Sequence, residues 1–411
     1  MRRFFLGEHI MYEINKNIVY VKGAHQGAIY NFNSGDIFAI NNNACQIIDK
    51  LVTSSNNFSI IENDYIELLT KNGLYDKNFI IKKYSPEMHT FNNLKLAWLE
   101  ITQGCNLKCV HCYEGNFHIQ SKNKLNLQKW KNIIDQLALL RVERVVVIGG
   151  EPTINKDIIE ILKYLKSKNI PTTLFTNAFF QDEELRKVIV ENNIRLKISL
   201  YGHNSNVHDS ITTVSGSFDR LIENIKYFSK NSVDISIAVT LMKENENYVN
   251  EIEAFIKSLG IQQYKFDVIR QVYCGTQYKH IPTKQEIKNF SLRRKPNFTT
   301  NKKYFDTYFN KNTCWYGKLV VTEEGNILPC VFARNIILGD SNRQTLKDII
   351  ESPQTEKYWY MDYSKINVCK DCEYRFACTD CRPLAFSKEG NIFEKNLRCT
   401  YNPYKGEWND A

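Results

Sequence analysis

The sequence has no long hydrophobic run. Its longest apolar stretches, such as RVVVIGG and ISIAVTLM, fall far short of the ~20 residues a spanning helix needs. The start, MRRFFLGEHIMYEINKN, has no continuous apolar core and no small-residue cleavage site, so it does not read as a signal peptide. These absences predict a cytoplasmic protein without a membrane partner. No block of like charge interleaves with aromatics, and the lysines scatter over many helical faces. The net charge of +9 therefore reads as solubility, and no nucleic-acid partner is expected. No short tandem repeat occurs beyond an alternation of strand and helix signals. What remains is a globular composition, 43% hydrophobic and 24% charged, over 411 residues, too long for one ordinary domain.

Cysteine, by contrast, is plentiful, at twelve. A reducing cytosol disfavours disulfides, which makes metal binding the leading reading. Cys45 and Cys274 stand alone, and Cys274 reads as a buried thiol rather than a ligand. Cys105, Cys109 and Cys112 share one loop. Cys314, Cys330, Cys369, Cys372, Cys378, Cys381 and Cys399 crowd the C-terminal third.

Three regions follow from pattern. Residues 1–90 hold short β-rich runs (NIVYVKGA, GAIYNFN, GDIFAIN), then two stretches of helical spacing, a winged-helix-like α+β plan. Residues 91–290 alternate six strands with amphipathic helices: LKLAWLEIT, RVVVIGG, PTTLFTN, LKISLYG, ISIAVTLM and YKFDVIR are the strands. That alternation predicts a parallel sheet with its helices outside, a partial (β/α)6 barrel of the α/β class. Residues 291–411 open on a linker and from 314 onward are cysteine-dense and loop-rich. They are expected to bury little core of their own and to be stapled by metal clusters.

Cys105, Cys109 and Cys112 follow the first strand at its C-terminal end, where parallel β/α proteins place their active sites. Soft thiolates suit zinc or iron–sulfur. A [4Fe–4S] cluster on only three cysteines leaves one iron open to an outside ligand. The stretch CNLKCVHCY resembles the CxxxCxxC loop of the radical SAM superfamily, with His111 at a position that is usually aromatic. The resemblance implies that S-adenosylmethionine (SAM) occupies the open iron and is cleaved reductively to a 5′-deoxyadenosyl radical. It further implies that Gly149, Gly150 and Glu151 after strand two hold the methionine amino group, glycine letting the backbone approach the ligand. Thr176 and Asn177 after strand three, and Ser199 after strand four, are implied to face SAM. Each also reads as a helix cap or loop hydrogen bond. Where relatives carry an arginine shortly after His-Asp, this chain has Ser210 to Thr213, and His208 reads as structural.

The C-terminal cysteines resemble a SPASM domain, with two residues rather than three before the sixth cysteine. The resemblance implies two auxiliary [4Fe–4S] clusters, one on Cys369, Cys372, Cys378 and Cys399, the other on Cys314, Cys330 and Cys381. Three clusters per chain are then expected, with SAM and an electron donor such as flavodoxin or ferredoxin. Val331 stands where sulfatase maturases carry an aspartate base, which argues against that subclass. The N-terminal unit resembles the peptide-recognition elements of maturases of ribosomally made peptides. A precursor peptide with a leader sequence is thus the expected partner, and a thioether or carbon–carbon crosslink the expected product. A SPASM enzyme acting on a protein residue or small molecule is the alternative; a non-catalytic electron carrier is the reading of another class.

Overall fold

A computed structural model describes residues 11–55, 57–87, 91, 93–112, 125–270, 272, 279–290, 299–389 and 391–408. The chain divides into two compact units, one of residues 1–90, 292–316 and 359–411, the other of residues 91–291 and 317–358.

In the first unit, β1 (Met11–Asn15), β2 (Ile18–Lys22), β3 (Gly27–Asn31) and β4 (Ile37–Ile40) form an antiparallel meander. Helices α1 (Asn42–Val52) and α2 (Ile60–Lys71) follow, and β5 (Lys82–Lys83) closes the order β4-β3-β2-β1-β5. The expected plan of strands then helices is present, with a fourth strand. Asn41 caps α1 by accepting from the Ala44 amide, and Ser59 and Glu62 form a capping box on α2. Ile18 to Val21 of β2 are all fully buried because both faces of the sheet are covered. On one face Ile14, Ile18, Tyr20 and Ile29 pack with Ala44, Cys45, Ile48 and Leu69 of the helices. On the other, Val19, Val21 and Tyr30 pack with Phe305 and Phe309 of the later helix Lys302–Phe309, and with Tyr374, Phe376 and Tyr401. The N-terminal sheet and the cysteine-rich tail thus share one core, a long-range pairing that no local pattern announces.

In the second unit the expected strands appear as β6 (Leu96–Glu100), β7 (Val145–Ile148), β8 (Thr172–Thr176), β9 (Arg195–Ser199), β10 (Ile235–Leu241) and β11 (Gln263–Val268), parallel and adjacent in chain order. Helices α3 (Leu127–Leu139), α4 (Ile158–Ser167), α5 (Glu183–Glu191), α6 (Ser205–Thr212), α7 (Ser217–Lys230) and α8 (Val249–Ser258) fill the crossovers. Their buried positions fall on one stripe, as Ile158, Ile161, Leu162 and Leu165 do on α4. The strands alternate more than their apolar look suggests. In β8 Thr172, Leu174 and Thr176 are buried while Thr173 and Phe175 are only partly so. One face meets the helices and the other lines the barrel interior.

The C-terminal third departs from expectation. Beyond β11, β12 (Lys318–Val321) pairs in parallel with β6, setting Val320 beside Trp98. The strands β13 (Asn326–Leu328) and β14 (Gly339–Asp340) extend the sheet antiparallel. Leu319, Val320, Val321, Ile327 and Leu328 are buried, so residues 317–358 add core instead of depending on metal alone. From Met361 onward the chain runs mostly in turns, as expected of the tail. No described helix is long and apolar enough to cross a membrane.

Candidate active site

The three-cysteine loop leaves β6 and is pinned from three sides. On the β7 side, the Gly150 amide donates to Thr102 O and the Glu151 amide to Gly104 O, both at 2.8 Å. On the α6 side, the Lys108 amide donates to Thr212 O at 3.1 Å and the Val110 amide to Ile211 O at 3.0 Å. Thr213, in the left-handed region, adds its hydroxyl to Lys108 O at 2.9 Å. On the β8 side, Asn177 Nδ2 donates to Asn106 Oδ1 at 2.8 Å, and Asn106 Nδ2 to Phe179 O at 2.6 Å. Thr213 therefore anchors the loop.

The loop closes one end of a cavity of about 250 Å³. Cys105, Cys109, His111 and Cys112 line it, with Gly149, Gly150 and Glu151 after β7, Thr176 and Asn177 after β8, and Ser199 at the end of β9. Every sequence-predicted residue of the SAM site is thus brought to one chamber. Burial pushes the Cys105 thiol up to about 12, with Glu151 and Cys112 adding to the rise. Burial likewise raises Cys109, and Cys105 and Cys112 raise it further. Cys105 and Cys109, which resist ionisation beside Cys112, form with it a donor set that fits a cationic inorganic cluster, whose charge would hold the three as thiolates. Among the described residues no group of three His, Cys, Asp or Glu side chains converges as a single ion would need. Burial also holds the His111 imidazole neutral, down to about 3.

The glycines serve the loop. A Cβ on Gly150 would lie 2.5 Å from Gln103 O and 2.7 Å from Gly104 C, and one on Gly149 would press on Thr102 O. The absent side chains admit the backbone of Thr102 to Gly104, a requirement apart from any ligand's approach. Glu151 is fully buried and well partnered. Its Oε1 accepts from the Thr153 amide (3.1 Å), the Thr153 hydroxyl (2.8 Å) and the Thr176 hydroxyl (2.7 Å), and its Oε2 from the Asn177 amide (2.7 Å). Burial raises this carboxyl, and those donors pull it back.

Several residues in and around the cavity were not singled out from the sequence. Tyr201 packs edge-on to His111 with centroids 4.6 Å apart and stacks on His208 at 5.5 Å. Asp267 and Arg270 at the end of β11, and Phe332, form another part of the wall. Glu100, at the end of β6 and 1% exposed, is paired at 2.7 Å with Arg334. Asn106 could have been found, since it stands inside the cysteine motif; the others depend on register. His208 accepts from the Tyr201 amide at 3.2 Å, and Asp209 accepts from the Gly216 and Phe218 amides at the start of α7. These contacts hold the turn before α6 and cap the start of α7, a structural role of the kind expected for His208.

None of the eleven described cysteines is in a disulfide. Cys369 is raised by burial and then by Cys378, with Cys399 also acting on it; Cys372 is raised by burial, with Cys378 and Cys369 contributing. Cys372, Cys378 and Cys399 are thus each within electrostatic reach of Cys369. Cys314 and Cys381 lie in the same unit, whereas Cys330 belongs to the sheet unit, packed with Val320, Leu328 and Val331. Cys45 is buried under Gly27 and Tyr20, and Cys274 lies outside the described residues.

Comparison with known proteins gives two family matches. Residues 99–256 match the radical SAM superfamily, and residues 314–373 the SPASM iron–sulfur cluster-binding domain. The chain is 24% identical over 340 residues to the AdoMet-dependent heme synthase of Methanosarcina barkeri, covering 75% of this chain and 97% of that protein. It is 25% identical over 299 residues to the antilisterial bacteriocin subtilosin biosynthesis protein AlbA of Bacillus subtilis, covering 69% and 66%. Among solved structures, Streptococcus suis SuiB bound to precursor peptide SuiA aligns with a TM-score of 0.60 at 16% identity, over 94% of this chain and 98% of that one. Proteins of this superfamily use SAM and a [4Fe–4S] cluster, and SPASM domains bind further iron–sulfur clusters. With its parallel sheet and cysteine loop, the chain belongs to the radical SAM superfamily of enzymes and carries a SPASM domain.

Proposed function

We propose that the protein is a radical SAM/SPASM maturase of a ribosomally made precursor peptide, forming a thioether or carbon–carbon crosslink. The observation that carries this reading is a groove of the N-terminal sheet. Among the described strands β4 is the edge, with β3 as its partner; Asp36, just before it, bridges Thr299, and Ile37 to Ile40 carry no second strand among the described residues. Beside it Ile29, Phe38, Ile40, Tyr65, Leu68 and Leu74 line an apolar groove, with Phe38 40% and Leu68 54% exposed. An unpaired edge next to apolar pockets suits an extended segment added as a further strand. AlbA, named for bacteriocin biosynthesis, and SuiB, solved with its precursor peptide, support it.

In this reading Cys105, Cys109 and Cys112 hold the cluster to which SAM binds. The cluster, once loaded, supplies the electron that cleaves SAM. The chain's own residues orient and shield. The Asn106–Asn177 pair fixes the loop, Gly149 to Glu151 and Ser199 hold SAM, and Tyr201 with His111 keeps water from the loop. The seven C-terminal cysteines hold two auxiliary clusters, making three per chain, and a flavodoxin- or ferredoxin-like protein in the cytoplasm delivers electrons. Val331, buried in an apolar cluster, offers no base of the sulfatase-maturase kind. The near-complete coverage of a heme synthase favours a second reading, a small-molecule substrate. Anaerobic co-expression with the peptide encoded beside the gene, read by mass spectrometry, separates the two. Loss of two hydrogens per crosslink is expected, and an unchanged peptide alongside active SAM cleavage refutes the maturase reading.

A further inference from the structure

The parallel register sets Lys197 of β9 beside Ser236 of β10 and Gln263 of β11, then Ser199 beside Ala238 and Lys265, then Thr240 beside Asp267. Ser199, Thr240 and Asp267 line the cavity, so the residues two positions earlier, Lys197, Ala238 and Lys265, share that inner face. Along it β10 contributes only small side chains, Ser236, Ala238 and Thr240. Cations flank this shelf: Lys197 half-buried on β9, Lys265 exposed on β11, and Arg270 at the end of β11. The guanidinium is aimed, since Nε and Nη2 donate to Asp267 Oδ2 at 3.1 and 2.7 Å and its plane lies 5.1 Å from the Phe332 ring. Lys197 sits 4.8 Å over the ring of Phe175, itself a cavity residue. Burial lowers Lys197, and Lys265, Arg270 and Arg144 lower it further, so these cations feel one another. Asp267 acts against them on Lys197.

We propose that this face of β9 to β11 holds an acidic stretch of the substrate peptide, whose carboxylates meet Lys197, Lys265 and Arg270. It rests on the peptide-maturase reading and adds the chemical class of the segment entering the barrel. Geometry favours a chain over SAM as the anion. Lys265 and Arg270 are five residues apart, up to about 16 Å of extended strand, and SAM has one carboxylate. The small residues of β10 leave room for backbone between the cations.

The test uses the full reconstituted chain with SAM present. Fluorescein-labelled peptides of alternating Glu and Ala, of Gln and Ala, and of Lys and Ala are titrated by anisotropy. The Glu peptide should bind at least about tenfold tighter than the Gln peptide and lose affinity as salt rises. K197Q, K265Q and R270Q should each weaken it about threefold, and together about 25-fold. K257Q, on the exposed face of α8, should leave it unchanged, and SAM affinity should stay within about twofold in every variant. Equal binding of Glu and Gln peptides overturns the proposal. So does a loss matched by K257Q, or variants that lose SAM binding in place of peptide binding. If the acidic site stands while no co-expressed peptide is ever modified, the maturase reading fails and the site survives; crosslinking without any effect of the three variants means the reverse.

Discussion

Gly150→Ala tests what the glycine pair after β7 is for. The new methyl would stand 2.5 Å from Gln103 O and 2.7 Å from Gly104 C. Carbon and carbonyl oxygen settle at about 3.3–3.6 Å, so the strand end and the cysteine loop must part by about 1 Å. The Gly150 and Glu151 amides, now bonded to Thr102 O and Gly104 O at 2.8 Å, would stretch towards 4 Å and break. Losing two buried backbone bonds costs about 2–3 kcal/mol, and a 1 Å displacement of reacting groups costs about 100-fold in rate. The assay is anaerobic 5′-deoxyadenosine formation after dithionite reduction with SAM, alongside an iron count and circular dichroism. The variant should fold, keep its C-terminal iron, and make deoxyadenosine at least about 100-fold more slowly. Gly260→Ala is the control: it strains a left-handed residue with open space around its Cβ, and should lower the melting temperature while leaving activity intact. Deoxyadenosine at more than half the wild-type rate in Gly150→Ala would refute the reasoning.

Glu151→Gln places an amide donor against the Asn177 or Thr176 donors; it should destabilise the barrel unit by about 3 kcal/mol and weaken SAM binding, read by thermal unfolding and equilibrium dialysis. Asn106→Ala removes the latch to Asn177 and Phe179; it should slow deoxyadenosine formation about tenfold or more with little change in melting temperature, and equal rates would discard the latch. Burial holds His208 down to about 4 from the ordinary 6.5. Below pH ~6.5 the unfolded chain therefore takes up a proton that the fold refuses, so stability present at neutral pH falls until about pH 4, by about 3 kcal/mol. His208→Asn, which keeps an acceptor for the Tyr201 amide, should flatten that slope; an unaltered pH profile counts against it.

The barrel was largely legible because its signals are local. Each strand ends on its motif: Glu100 five residues before Cys105, Ile148 just before Gly149, Thr176 and Ser199 at the ends of β8 and β9. What stayed hidden is what register and distance decide. β12 is a four-residue strand whose partner, β6, lies more than 200 residues earlier, and nothing in KLVV names that pairing. The same holds for Glu100 with Arg334, and for Phe305 and Phe376 under the N-terminal sheet. Lys197 and Lys265 look like surface lysines in sequence; only the register of β9 to β11 sets them on the same face as Ser199 and Asp267. The second demand on Gly149 and Gly150 stayed hidden for a related reason, since the backbone they admit belongs to another strand's loop.

The measurement that bears most directly on the central claim compares the wild-type chain with the triple variant Cys105→Ala, Cys109→Ala, Cys112→Ala. Both are reconstituted anaerobically, counted for iron, and assayed for 5′-deoxyadenosine with SAM and dithionite. The account predicts about twelve irons and sustained deoxyadenosine formation for the wild type, and about eight irons with none formed for the variant. Deoxyadenosine from the triple variant, or a wild-type chain that binds zinc in place of iron and sulfide, would contradict it.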